Sequence, residues 1–296
     1  MRADSESAPL KAVLLFCPGK ELRAIKDPDA AQHLEVIDPV KIRRDFARMA
    51  AAYGDFGVTV HFLDPGPLLA GKALDKFNLM YVRDLFFNTR EGAILSRMAS
   101  TVRQGEEKFA QLALARLAVP IHKTISHDGL FEAADAIWLD PRTVLCGTGY
   151  RTNASGARQL GAVLKLQGVS TLVVKLPKCV QHLMGLVQLV DRNLALVRTS
   201  LAPVRLLRIL RKKGFKILPV PESDEVTHQQ GMNVVTVRPR QLFMPAGCPA
   251  LKKLYLEAGI RVAREIPIPE LIKGAGGLSC ATGILARAPD TRYPAA

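Results

Sequence analysis

One arrangement of elements recurs about five times along the 296 residues, at a spacing near 50 residues. Each copy contains an amphipathic stretch whose apolar residues are three and four positions apart, the pattern that predicts a helix. The predicted helices cover residues 40–53, 102–117, 155–166, 203–213 and 249–258. The chain is therefore expected to fold as a set of similar units.

Short β-branched strands follow most of these helices, and a glycine separates the helix from the strand. Gly57, Gly168, Gly214 and Gly259 hold this position, where a left-handed backbone that suits glycine ends a helix. The second helix differs, because it runs into Pro120 without a glycine. Turn-forming residues join four predicted hairpins, at 80–87 with 93–97, 136–139 with 143–146, 185–190 with 194–198, and 234–237 with 241–244. The repeated unit is thus strand, strand, helix, strand.

Five such units account for almost the whole chain. A repeat that leaves one face uncovered buries that face against its neighbours. We therefore expect the units to close into a ring, an α/β propeller with five-fold pseudosymmetry and a central site. We predict one catalytic domain over residues 11–296, because no linker-like composition interrupts the chain, and a flexible leader over the polar residues 1–10.

The composition is that of a soluble globular protein, with 48% hydrophobic and 23% charged residues. No stretch is long and apolar enough to span a bilayer. The five cysteines are widely spread and odd in number, which argues against a disulfide framework and favours the reducing cytoplasm. Cys179 and His182 have the spacing of two zinc ligands, but no second pair completes such a site, so we predict no metal.

The net charge of +14 indicates either an anionic partner or a solvated basic surface. The basic residues are scattered over the predicted helices, and aromatic residues make up only 6% of the chain. Nucleic-acid binding sites usually combine basic residues with aromatic side chains on which bases stack. The sequence therefore favours a solvated surface and disfavours nucleic acid as a partner.

A different reactive side chain stands near the start of each hairpin: Asp84, Glu132, His182, Asn233 and Cys280. The steps between their residue numbers are 48, 50, 51 and 47, so a ring of units would bring them to its axis. Each alone has an ordinary structural explanation, such as a core histidine or a small buried thiol after a glycine-rich loop. Together they predict a catalytic site.

The residue types indicate the reaction. A thiolate is a strong nucleophile, and a histidine can pass a proton to a leaving group and then take one from water. Two carboxylates can hold a cation, and a guanidinium presents a planar fork of N–H donors that matches them. We therefore predict that Cys280 attacks the central carbon of a guanidinium, with His182 as the acid and base.

Five stretches in this order resemble one known group of proteins: residues 78–84, 131–135, 151–153, 181–183 and 276–280. They are similar to motifs of the guanidine-modifying enzymes, the superfamily of arginine deiminases, dimethylarginine dimethylaminohydrolases and amidinotransferases. The resemblance extends over residues 12–287 and implies the five-bladed propeller called the pentein fold. It also implies a covalent amidino intermediate on Cys280, a grip on the guanidinium by Asp84 and Glu132, and no cofactor.

The resemblance further implies that Asn78, Arg103 and Arg151 bind the α-carboxylate end of an arginine-like substrate. One departure from the family pattern bears on the substrate. Arginine deiminases and amidinotransferases carry an acid two residues after the histidine, where this chain has Met184. Dimethylarginine hydrolases also lack that acid, so Met184 weakens the case for free arginine and admits an alkylated guanidinium. We include Asp135, Met184 and Asn233 among the predicted substrate contacts.

The prediction is a cytoplasmic, cofactor-free hydrolase of arginine or an Nω-substituted arginine that gives citrulline plus ammonia or an amine. Two alternatives stay open. One is an amidinotransferase that passes the amidino group to an amine. The other is a binding module for RNA, because a ribosome anti-association factor shares the pentein fold. A homo-oligomer is compatible with the sequence.

Overall fold

The computed structural model describes residues 1–69 and 74–289, and in this part of the chain five three-stranded sheets form. In four of them an antiparallel hairpin is followed by a helix and by a third strand that pairs in parallel with the second. The fifth sheet is built from both ends of the described chain. Its hairpin-like pair consists of Gly283–Arg287 and Leu10–Leu15, which run antiparallel, and Thr59–Phe62 pairs in parallel with Leu10–Leu15. The two ends of the chain thus complete one unit together.

The strands are short and follow the predicted order. They are β1 (Leu10–Leu15), β2 (Thr59–Phe62), β3 (Phe86–Asn88), β4 (Ala93–Leu95), β5 (Ile121–Thr124), β6 (Ala136–Asp140), β7 (Thr143–Thr148), β8 (Ser170–Lys175), β9 (Val187–Asp191), β10 (Leu194–Val197), β11 (Lys216–Pro219), β12 (Val235–Arg238), β13 (Gln241–Pro245), β14 (Arg261–Ile266) and β15 (Gly283–Arg287).

The five long helices lie where the sequence predicts them, and three short helices lie in connections. The helices are α1 (Lys41–Asp55), α2 (Gly66–Leu69), α3 (Glu106–Arg116), α4 (Ala154–Leu166), α5 (Val204–Lys212), α6 (Asp224–Thr227), α7 (Pro249–Glu257) and α8 (Pro269–Lys273). Single 3-10 turns occur at Lys20–Ala24, Val82–Asp84, Ala133–Asp135 and Leu183–Gly185. No helix within residues 1–69 and 74–289 has the length and apolar content of a membrane span.

The predicted exits from helix to strand are confirmed. Gly57, Gly168, Gly214 and Gly259 have φ values of 70°, 71°, 82° and 73°, in the left-handed region that favours glycine. After α3, which has no glycine at its end, Ala118 adopts the same conformation with a φ of 53°. Alanine has only a small side chain to accommodate there, so the unit keeps its geometry with a different residue.

Hydrogen bonds join each sheet to the next, and the last sheet to the first. They link a donor on one unit to an acceptor on its neighbour: Asn88 Nδ2 to the Leu285 carbonyl, Trp138 Nε1 to the Asn88 carbonyl, the Leu183 amide to Asp135, Thr236 Oγ1 to the Leu189 carbonyl, and an Arg287 N–H to the Thr236 carbonyl. The five units therefore form a ring, as the repeats predict. The predicted domain 11–296 includes residues 70–73 and 290–296, which lie outside the described residues.

Helix α1 shows how the outer layer of the ring supports its centre. Ile42, Phe46, Met49 and Tyr53 are buried and recur at helical spacing, so one face of α1 packs into the core. Burial of each such side chain contributes about 1.5–3 kcal/mol. The hydroxyl of Tyr53 lies 2.7 Å from Oγ1 of Thr282, two residues after Cys280. Packing on the outside of the ring thus fixes the segment that carries the thiol.

The N-terminal residues are packed against the ring, whereas the sequence suggested a flexible leader. Asp4 accepts a hydrogen bond from Arg90 at 2.6 Å, and both carboxylate oxygens of Glu6 are used, one by Arg83 at 3.0 Å and one by the Trp138 amide at 3.2 Å. The acidic character that resembled a solvated leader therefore neutralises arginines on the ring. Because Arg83 is the neighbour of Asp84, this segment also supports the predicted site.

We predict that Glu6→Ala destabilises the fold, because it leaves the Arg83 guanidinium buried without its carboxylate. Loss of one partner of a buried ion pair should lower the free energy of unfolding by about 3 kcal/mol. Urea denaturation followed by circular dichroism measures this. Glu257→Ala makes the same change in an exposed pair with Lys253 and should cost less than about 1 kcal/mol. Equal losses in the two variants would contradict the role of Glu6.

Candidate active site

The 3-10 turns place the polar residues of the site. Glu132 and His182 directly precede the turns Ala133–Asp135 and Leu183–Gly185, whereas Asp84 is the last residue of the turn Val82–Asp84. Asp84 thus stands three residues later in its unit than Glu132 and His182 stand in theirs. The spacing predicted that all three hold the same position in their units, and this prediction is wrong for Asp84. Residues three apart lie on the same side of a 3-10 turn, so Asp84 still reaches the axis.

Three predicted site residues come together at the axis. Nε2 of His182 lies 2.8 Å from Oε2 of Glu132. One polar atom from each of Asp84, Glu132 and His182 lies within 4.8 Å of the other two, and all three residues are buried. The structure therefore brings two carboxylates and an imidazole to one point, as the repeat pattern predicts.

Charge keeps the imidazole protonated. Burial alone would lower the pKa of His182, but the charge of Asp84 and the hydrogen bond to Glu132 raise this pKa to about 9. Burial would raise the pKa of Glu132, but its hydrogen bond to His182 and the nearby arginines lower it instead. An imidazolium must lose its proton before it can bind a metal ion. His182 is in the state that a proton donor needs.

Arg103 is a partner of protein carboxylates. Its Nη1 donates to Oδ2 of Asp84 at 2.5 Å, and its Nε and Nη2 contact Glu106 at 2.9 Å and 2.8 Å. The prediction that Arg103 binds the α-carboxylate of a substrate needs correction, because these donors are already occupied. Oδ1 of Asp84 is buried and has no hydrogen-bond partner among the described residues. That oxygen is free to accept an N–H from a substrate.

Arg151 and Asn78 lie near the loop of residues 25–37, which covers the site. Arg151 contacts Oε1 of Glu132 at 3.5 Å and Oε1 of Gln32 at 3.4 Å, and part of its side chain is exposed. Asn78 donates to the carbonyl of Ala31 at 2.7 Å. Of the three residues predicted to bind the α-carboxylate, Arg151 is the one best placed for it, while Asn78 holds the covering loop.

Cys280 is held by Asn233. Oδ1 of Asn233 accepts the backbone N–H groups of Ser279 and Cys280 at 2.7 Å and 3.2 Å, and Nδ2 donates to the Cys280 sulfur at 3.0 Å. A Cβ on Gly277 would lie 2.8 Å from Asn233, so only glycine allows this close approach. The predicted substrate contact of Asn233 is thus replaced by a contact with the nucleophile.

The Cys280 thiol is neutral in the absence of substrate. Burial raises the pKa of this thiol above its ordinary value, and the charge of Asp84 raises it further, while the hydrogen bond from Asn233 acts in the opposite direction. A neutral thiol is a weak nucleophile. The thiol therefore needs an additional positive charge before it can attack.

Asp135 lies behind the site. Its Oδ1 accepts the backbone N–H of Leu183 at 2.8 Å, its side chain is fully buried, and burial raises its pKa to about 6. It was predicted as a substrate contact, but the carboxylate fixes the turn that carries His182. The prediction rested on the position of Asp135 three residues after Glu132. That spacing could not show on which side of the backbone its side chain lies.

Three cavities meet at the site, and we name them by their lining. An outer cavity of 610 Å³ is lined by residues that include Tyr150, Arg151 and Lys178. A carboxylate cavity of 50 Å³ is lined by residues that include Asp84, Arg103 and Arg151. An amide cavity of 230 Å³ is lined by residues that include Arg83, Met184, Gln188, Gln230 and Asn233. Cys280 and His182 line both of the latter two cavities.

Met184 therefore faces the site, as expected. Sequence reasoning did not single out Gln32, Gln188 or Arg83 as residues of the site. Arg83 and Gln188 belong to units that carry predicted site residues, so their position in the repeat was the available signal. Gln32 comes from the covering loop, where no repeat or motif marks it.

Known proteins resemble this chain in sequence and fold. Residues 75–202 match the family model for arginine deiminase. The dimethylarginine dimethylaminohydrolase of Pseudomonas aeruginosa is 30% identical over 201 residues, which cover 68% of this chain and 74% of that protein. The Streptomyces coelicolor protein of the same name is 26% identical over 201 residues, which cover 68% and 72%. A mutant of the P. aeruginosa enzyme complexed with citrulline has a TM-score of 0.74 at 23% identity, covers 94% of this chain and all of its own, and shares the fold.

We predict opposite effects of two substitutions on the Cys280 thiol. Asn233→Ala removes a hydrogen bond that favours the thiolate, so alkylation by iodoacetamide at about pH 8 should slow by about tenfold, the effect of one pKa unit. Asp84→Asn removes a charge that disfavours the thiolate, so alkylation should become faster. Mass spectrometry of the Cys280 peptide measures both rates.

A Cys179→Ser background removes the exposed thiol that would compete for the reagent. The Asp84→Asn variant should lose turnover while its thiol becomes more reactive, which separates substrate binding from thiol chemistry. If both substitutions changed the alkylation rate in the same direction, the assigned electrostatic roles would be wrong.

Proposed function

Because the chain belongs to the dimethylarginine dimethylaminohydrolase family of guanidine-modifying enzymes, we propose that it hydrolyses the guanidinium of arginine or of an Nω-substituted arginine. The products are citrulline and ammonia or an amine. One observation carries the proposal: the Cys280 thiol, the protonated His182 and the free oxygen of Asp84 line connected cavities. That set has a nucleophile, an acid and a cation site.

Binding of the substrate cation activates the thiol in this proposal. Oδ1 of Asp84 and the carboxylate of Glu132 accept N–H groups of the guanidinium. The bound cation offsets the charge of Asp84 that raises the pKa of Cys280, and a nearby positive charge favours the thiolate. Ionisation of the nucleophile is then coupled to occupation of the site.

The first half of the reaction forms a carbon–sulfur bond. The Cys280 thiolate attacks the central carbon of the guanidinium, and His182 gives its proton to the departing nitrogen. The carbon–nitrogen bond breaks, ammonia or an amine leaves, and the amidino group remains on sulfur. Glu132 stabilises the imidazolium before this transfer through the 2.8 Å hydrogen bond.

The second half returns the enzyme to its starting state. Neutral His182 takes a proton from water as the water oxygen attacks the amidino carbon. The carbon–sulfur bond then breaks, citrulline is released, and the Cys280 thiolate takes back from solvent the proton that it gave up when the substrate bound. Arg151, and Lys178 in the outer cavity, supply positive charge toward which the α-carboxylate of the substrate points.

We predict that Cys280→Ser abolishes ureido product, and that His182→Gln lowers its rate by at least about a hundredfold, the usual contribution of a general acid. Because the acid form of His182 is required and its pKa is about 9, kcat/KM should fall as the pH rises through about 9. A colorimetric assay for citrulline across pH measures both effects.

The control for these variants is Cys17→Ser, which should leave the rate unchanged. Cys17 is a partly buried free cysteine, so this variant tests whether loss of any thiol lowers the rate. Full activity of Cys280→Ser would remove the proposed nucleophile. Activity of His182→Gln equal to that of the unchanged protein would remove the proposed acid.

Amidino transfer would use the same intermediate and differ only in the acceptor. The named relatives favour water as the acceptor. We expect citrulline formation to be unchanged when glycine is added to the assay. Appearance of guanidinoacetate, measured by mass spectrometry, would instead support transfer.

A further inference from the structure

The amide cavity is a second space beside the reacting sulfur. Its volume is 230 Å³, against 50 Å³ for the carboxylate cavity. A water molecule takes about 30 Å³ in the liquid, so the amide cavity has room for about eight waters and the carboxylate cavity for about two. The larger space is far more than a departing ammonia requires.

The lining of the two cavities gives the substrate a direction. Asp84 and Arg151 line the carboxylate cavity, which adjoins the outer cavity through Arg151 and Gln181. A guanidinium held by Asp84, with its α-carboxylate toward Arg151, would lie in the carboxylate cavity, next to Cys280 and His182. The same two residues line the amide cavity, so this cavity is the adjoining space for a substituent on the remaining nitrogen, and Met184 forms part of its wall.

The amide cavity is suited to hydrogen-bond acceptors and to negative charge. Among the described residues that line it, none is acidic. Its polar side chains include amides and two arginines: Gln181, Gln188, Gln230, Asn233, Arg83 and Arg198. Arg83 and Arg198 pair with Glu6 and Glu222, but neither of these carboxylates lines the cavity. A cationic substituent would therefore find no carboxylate in the lining, which disfavours it.

We infer that the amide cavity binds a substituent on the Nω nitrogen that is larger than methyl and ends in a hydrogen-bond acceptor such as a carboxylate. This inference rests on the proposed function and names its substrate class. The guanidinium carbon loses the substituted nitrogen as an amine, which takes the proton of His182. Water supplies the oxygen of citrulline and the second proton, so the overall reaction is a hydrolysis that needs no further reactant.

Three substrates that share the arginine part test the inference: Nω-carboxypropyl-arginine, Nω-butyl-arginine and Nω-aminobutyl-arginine. We expect kcat/KM to fall in that order, by about tenfold or more from the first to the last, as expected for a hydrogen bond to a charged group. Citrulline release measures all three, with arginine and dimethylarginine in the same assay.

A matched pair of variants tests the part played by charge. Arg198 donates to Glu222 through Nε at 2.9 Å and through Nη2 at 2.5 Å. Arg198→Gln removes a cation from the cavity. The measured quantity is kcat/KM for the carboxypropyl substrate divided by kcat/KM for the butyl substrate, and this ratio should fall about threefold to tenfold. Glu222→Gln breaks the same ion pair but keeps the cation, so this ratio should stay constant or rise.

The possible outcomes separate the inference from the proposed function. One outcome would overturn the inference and leave the proposed function in place. In that outcome dimethylarginine is hydrolysed, and all three large substrates are hydrolysed at least about a hundredfold more slowly than it. Equal rates for the carboxypropyl and aminobutyl substrates would overturn the preference for an acceptor. Lack of citrulline from every guanidino compound would overturn the proposed function itself.

Discussion

The contact between Arg103 and Asp84 is the interaction on which the site depends. Arg103 also contacts Glu106 and lies 3.9 Å from Glu132, so one buried guanidinium serves three carboxylates. Buried carboxylates this close together would otherwise repel and take up protons. Even with Arg103 present, burial raises the pKa of Glu106 to about 7. The arrangement holds Asp84 in place while one of its oxygens stays free for a second cation.

Asp84 also links binding to reactivity. Its negative charge attracts a guanidinium and, in the free protein, helps to keep the Cys280 thiol neutral. Asn233 holds the sulfur in position without overcoming that effect. A site built in this way separates placement of the nucleophile from its activation, and in the proposed reaction the substrate cation supplies the activation.

Much of the ring was predictable because its cause is local. Apolar spacing marks the five long helices, and Gly57, Gly168, Gly214 and Gly259 mark the ends of four of them. Convergence of Glu132 and His182 followed from the repeat, since similar units in a ring present the same place to the axis. Asp84 joins them from a position three residues later in its unit, which the repeat did not predict. These predictions needed no knowledge of which side chains pair.

The rest depends on contacts between distant parts of the chain. Spacing could not show that Glu6 neutralises Arg83 or that Arg103 is occupied by carboxylates. The partner of Asn233 was also hidden, because an amide near an axis can face the substrate or the nucleophile. Such choices are decided by burial, which leaves few polar groups without a partner.

The two cavities that Cys280 lines differ in charge, because Asp84 lines the carboxylate cavity and no acidic residue is among the described residues that line the amide cavity. This difference bears on product release in the proposed reaction. A carboxylate-bearing substituent brings a negative charge next to Arg83 and Arg198. After the carbon–nitrogen bond breaks, the departing amine becomes protonated, and the same group then has no net charge. Its attraction to the two arginines weakens at the moment when it must leave. The amide cavity shares Cys179 and Gln181 with the outer cavity, which gives the amine a route outward that does not pass Asp84.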